Sequence, residues 1–104
     1  MSWTSARAEE EKTGPVAFLT ASSGRGDVSS APLLENSEEA ILEALAGAFY
    51  GIPVGGATVF AVSSRTGKPL ASNYLDADDA IEDYDLEVER FALVLKGALL
   101  KEEA

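Results

Sequence analysis

Along this chain the spacing of apolar positions alternates between the period of a strand and that of a helix. Val16-Ala17-Phe18-Leu19-Thr20-Ala21 is a nearly unbroken apolar run that reads as a strand covered on both faces. A polar turn, Ser22 to Asp27, separates it from a weaker strand over Val28 to Leu34, where Pro32 points to a sheet edge. The clearest strand is Thr58-Val59-Phe60-Ala61-Val62. The polar Ser63-to-Lys68 turn and a second strand segment, Pro69 to Leu75, follow it. β-branched and aromatic residues on either side of a short loop containing Gly67 predict a hairpin, because glycine accepts the positive φ such loops need.

Two segments carry helical spacing. After Asn36, read as the N-cap with Glu39 completing a capping box, the apolar positions Ile41, Leu42, Leu45, Ala48 and Phe49 form one stripe. Gly51 sits where a glycine ends a helix and Pro53 prevents its resumption. The second segment, Leu86 to Glu103, has a stripe of Val88, Phe91, Ala92, Leu95, Ala98 and Leu99. Leu86, Leu93 and Leu100 make a second stripe on another side; a heptad drifts only about 20° per step on a straight helix, so the three stay aligned. As a strand, Glu89 to Gly97 would put Phe91, Leu93 and Leu95 on one face, but length and Leu/Ala content favour the helix. Ser5 to Lys12 favours a further short helix capped by Ser5, with Trp3 the one large anchor nearby.

The expected fold is therefore α+β: two β-hairpin-plus-helix units, ββαββα, with a short N-terminal helix or tail over 1–13, giving an antiparallel sheet with helices packed on it. The two hairpins echo each other. At an offset of 41 residues, Ser22, Ser23, Gly26 and Leu34 fall on Ser63, Ser64, Gly67 and Leu75. The alternative is an order like that of Roadblock/LC7-type regulatory modules, αββαβββα, which carry one more strand before the last helix; the likeness is of element order and no residue motif carries it. That alternative requires part of Arg90 to Lys96 to be the extra strand.

At 104 residues the chain makes one domain, 1–104, large enough to fold without disulfide or metal. Its charge narrows the partners: 18 acidic against 8 basic residues give −10. Direct nucleic-acid binding and attachment to an anionic membrane both need clustered Lys and Arg, and are disfavoured. The greasiest run, Phe91 to Leu100, contains Lys96 and is half the length a bilayer span needs, about twenty residues. MSWTSARAEEEK has no apolar h-region. A soluble, cytoplasmic protein is expected.

Candidate chemistry is sparse. The chain has no histidine and no cysteine, which removes the commonest general base, thiolate metal sites and the triads built on either residue. Gly67-Lys68 fails as a phosphate-binding loop, since Val62 takes the place of its first glycine and Pro69 that of its Ser or Thr. Arg25-Gly26-Asp27 is read as a turn. A calcium loop starting at Asp76 would place Asp78 and Glu87 as ligands, but Ala80 and Ile81 occupy its fifth and sixth positions. No cofactor, metal or catalytic residue is assigned.

What remains is the acidic run itself. Eight of the fourteen residues from Asp76 to Glu89 are acidic, interspersed with Ala80, Ile81, Tyr84 and Leu86. Asp76, Asp78, Asp79, Glu82, Asp83, Tyr84 and Asp85 are the candidate docking patch for a protein with a basic surface. Leu86, Leu93 and Leu100 are the candidate self-association face, because a chain this small buries only one stripe of its last helix. The leading expectation is a non-enzymatic interaction or regulatory module that forms homo-oligomers, a dimer in the simplest case. An acidic inhibitor that mimics nucleic acid is the alternative, supported by the net charge, and a small carboxylate-based enzyme the third.

Overall fold

A computed structural model of the chain describes residues 14–75 and 80–103, with side chains in the last helix described from Tyr84 to Glu102. The elements run β1 (Ala17–Ser22), β2 (Val28–Leu33), α1 (Glu38–Ala48), β3 (Thr58–Ser63), β4 (Pro69–Tyr74) and α2 (Ala80–Glu103). This is the expected ββαββα order. The short helix expected over Ser5 to Lys12 lies outside the described residues. All neighbouring strands pair antiparallel in the order β2-β1-β3-β4, so β2, with Pro32, is an edge strand as its proline requires.

Among the described residues the sheet has helices on one face. Ala17, Leu19 and Ala21 of β1 and Val59 and Ala61 of β3 point into the core with Leu33 and Ala71 from the edges. α1 covers β2 and β1, and α2 covers β4. Their buried side chains, Ile41, Ala44, Leu45 and Ala48 from α1 and Phe91, Ala92, Leu95 and Leu99 from α2, complete one cluster. The helices lie antiparallel: Asn36, before α1, reaches Lys96 O, and Phe49, after α1, packs edge-on against Tyr84 with ring centres 6.0 Å apart. Gly47 lets α1 approach closely, since a Cβ there would stand 3.1 Å from that of Ala31.

Four expectations need correction. β1 is not covered on both faces by the described residues: the side carrying Phe18, Thr20 and Ser22 has no helix over it, and Phe18 is 45% exposed. The N-cap is Ser37, not Asn36. Ser37 Oγ accepts the Ala40 N–H at 3.2 Å, whereas Asn36 turns away to donate to Lys96 O. Both residues are strong caps, and the tertiary contact to α2 decides between them. Leu42, placed in the α1 core stripe by spacing, is 44% exposed, and Ala44 takes the buried position instead. Finally, Arg90 to Lys96 is helical throughout, so among the described residues the sheet has four strands and the Roadblock-like order lacks its fifth.

The echo between the hairpins has an unexpected form. The strand limits repeat at the 41-residue offset, and Gly26 and Gly67 hold the two turns with φ of 95° and 73°. Yet residues aligned by that offset face opposite ways. Buried Leu19 falls on Phe60 of the open face, partly exposed Ser22 on buried Ser63, and exposed Leu34 on buried Leu75. Side chains alternate with a period of two, so a one-residue difference in phase inverts the whole strand.

Candidate functional site

α2 is 24 residues long and so spans about 36 Å, more than twice the length of α1. Its apolar residues outnumber what one face can hold. Phe91, Leu95 and Leu99, with Ala92 and Val88, turn toward the sheet and α1. At about 100° per residue, Leu86, Leu93 and Leu100 lie more than ~120° round the helix from the middle of that stripe. They are 48%, 70% and 58% exposed. Arg90 and Gly97 fall between them on the outward line, and Val94 is exposed on the β4 side.

Two ties hold this surface in place. At the C-terminal end Ser63 Oγ, buried in the β3–β4 turn, donates to Glu102 Oε1 at 2.8 Å and accepts the N–H groups of Arg65 and Thr66. Thr66 Oγ1 donates to the other carboxylate oxygen of Glu102 at 3.2 Å. Toward the N-terminal end, Asn73 Nδ2 donates to Glu87 Oε2 at 2.7 Å, and Arg90 pairs with Glu87 Oε1 at 3.3 Å. Among the described residues that is the one ion pair. Leu93 and Leu100 therefore ride on a stretch of helix tied near both ends, at Glu87 and Glu102, and Leu86 stands one residue before the first tie.

On the α1 side a shallow groove is lined by Glu38, Glu89, Ala92, Leu93 and Lys96. It holds about 180 Å³, below the ~300–1,000 Å³ of an ordinary small-molecule site. Leu42 stands on the same flank of α1 as Glu38 and Phe49, at helical spacing, and extends the apolar surface across the seam. This face carries both signs of charge in an otherwise acidic chain.

The acidic patch is only partly within view. Asp76, Asp78 and Asp79 lie outside the described residues, as does the start of the calcium-loop comparison. Glu82 and Asp83 belong to α2, but their side chains are outside the description. Asp85 is exposed. Tyr84 is partly buried against Phe49, and its hydroxyl pKa is raised, first by that burial and second by the charge of Asp85. Its ring thus closes the α1–α2 seam instead of projecting freely.

Sequence reasoning missed a second surface, the side of the sheet that no described element covers. Pairing places Phe18 beside Pro32 and Val62, Thr20 beside Ser30 and Phe60, and Thr58 beside Tyr74. Among the described strand residues no charged side chain interrupts it. The alternation of Leu19 with Phe18 and Thr20 is its signal, masked by the nearly unbroken apolar character of the run. Among the described residues no group of three or more carboxylates converges closely enough to hold a metal ion, and no helix is long and apolar enough to cross a membrane. Known protein families, characterised proteins and solved structures offer no match to this chain.

Proposed function

We propose that this chain is a non-enzymatic protein-interaction module that self-associates through the outer face of α2. The acid-rich start of that helix serves as a docking flank for a basic protein surface. One observation carries the proposal: three leucines at heptad spacing stand exposed on a helix whose opposite face already fills the core. Large apolar side chains repeated along one outward line of a helix point to a contact site, as singly scattered ones do not. The absence of histidine and cysteine from the sequence supports a role in binding over catalysis.

Light scattering across a concentration series tests it, with Leu93→Glu as control. The expected result is a mass that rises with concentration in the parent chain and stays at 10.9 kDa in the variant. A parent that remains monomeric at every concentration removes the proposal. Salt separates it from the acidic-inhibitor alternative: association between leucine faces survives the step to physiological salt, whereas capture of a basic partner by carboxylates weakens.

A further inference from the structure

The outer stripe has a property that no single chain uses. Leu86 and Leu100 are equidistant from Leu93, so the stripe reads the same in both directions about its centre. An antiparallel copy sharing a two-fold axis at Leu93 brings Leu93 against its own counterpart and Leu86 against the other copy's Leu100, twice. A two-fold axis across two antiparallel helices also keeps each flank facing the same flank of the second copy. The α1-side flank carries Glu89 four residues before Leu93 and Lys96 three after it, with Glu38 of α1 lining the same groove. At 1.5 Å per residue, Glu89 of one copy and Lys96 of the other then come within ~2 Å of the same level, twice. Complementary charge at the rim fixes register while the leucines supply the attraction.

We infer that the partner of this surface is a second copy of the chain, docked antiparallel by α2 on α2 about Leu93. The inference rests on the self-association proposed above. Leu42 of α1 lies on the Glu89–Lys96 flank and joins the contact, making it a pairing of two helical layers. An isologous interface of this kind closes at two copies. A parallel pair would align the leucines equally well but would turn the Glu89–Lys96 flank away from itself, leaving those charges unmatched. With one helical layer from each copy in contact, association is expected to be reversible and to depend on concentration.

The absence of native cysteine makes disulfide trapping clean. Leu86→Cys and Leu100→Cys are prepared separately and oxidised alone and mixed. In the antiparallel pair, like positions stand ~21 Å apart, beyond the ~7 Å that a disulfide spans between Cα atoms. Only the mixture is expected to cross-link, and Leu93→Cys is expected to cross-link to itself. Glu89→Lys should weaken association roughly tenfold, and Glu89→Lys with Lys96→Glu in one chain should restore it. Leu86→Cys cross-linking alone as fast as in the mixture would overturn the antiparallel register and leave self-association standing. A parent chain that stays monomeric by light scattering, with no cross-link in any combination and native circular dichroism, overturns both.

Discussion

The two helices of this domain solve the same packing problem with different lengths of chain. α1 has 11 residues and one apolar side; once Ile41, Ala44, Leu45 and Ala48 are buried, only Leu42 remains as an exposed large apolar residue. α2 has 24 residues and buries a similar set, yet leaves Leu86, Leu93, Val94 and Leu100 outside. The difference is not composition but phase. α1 repeats at the helical period alone, whereas α2 superimposes a seven-residue spacing on it, and the two periods fill opposite sides of one helix. A helix that only had to cover the sheet would need the first period and not the second.

The largest effects should separate the two sides of α2. Leu95 is fully buried, so Leu95→Ala should destabilise by about 2–5 kcal/mol, through lost burial and the cavity left behind. Leu93→Ala, two residues away, should change stability by less than about 0.5 kcal/mol while weakening self-association. Leu45→Ala should resemble Leu95→Ala, and α1 should offer no counterpart to Leu93. Thermal denaturation at concentrations below association, paired with light scattering above it, reads both quantities. Equal destabilisation by the two α2 variants would erase the distinction between an inner and an outer face.

A second contrast lies at the helix ends. α2 closes on the β3–β4 turn through Ser63 and Glu102, while among the described residues the end of α1 has only backbone bonds, from Phe49 N–H to Leu45 O, Tyr50 N–H to Gly47 O and Ile52 N–H to Phe49 O. Ser63→Ala leaves Glu102 and the turn N–H groups without their shared partner, and should cost about 1–3 kcal/mol. Hydrogen exchange would localise the loss to the last turns of α2 and the turn at Gly67. Loss spread evenly over both helices would show that the tie is not local.

How far these features were legible in the sequence follows from the range of the forces involved. Element order, both turns and the edge position of β2 were readable, because Gly26, Gly67 and Pro32 act through local backbone geometry. The outer stripe of α2 was readable too, since one helix face excludes another. Facing was harder. Leu34 and Leu75 occupy matching places after matching hairpins, yet one is exposed and the other buried. A strand's phase is set by its cross-strand partners and, here, by a bulge at Ala61/Val62, and not by its own residues. Ser37 against Asn36 failed for a similar reason: the deciding contact is with Lys96, sixty positions away.

That cap supplies a smaller test. Ser37→Ala removes the acceptor for the Ala40 N–H and should destabilise by about 1 kcal/mol, with early exchange in the first turn of α1. Amide exchange in α2 should be unaffected until global unfolding. Were Asn36 the working cap, Ser37→Ala would be nearly silent.

The smallest expected effect concerns the place where the two helices meet. Tyr84 of α2 packs on Phe49 after α1, and burial, followed by the Asp85 charge, raises its hydroxyl pKa above the ordinary 10.0. Above pH 10 the unfolded chain has released this proton while the folded chain still holds it. The unfolded state then binds fewer protons, so stability falls as pH rises. The contribution is whole below the unfolded value near pH 10 and is lost as pH climbs through the folded one. Tyr84→Phe keeps the ring contact and removes the proton. The stability difference between parent and variant, measured by denaturant titration from about pH 9 to 11, should therefore shift against the parent as pH increases. A difference that stays constant over that range would mean that the hydroxyl is as solvated in the folded chain as in the unfolded one, and that the α1–α2 seam is open at Tyr84.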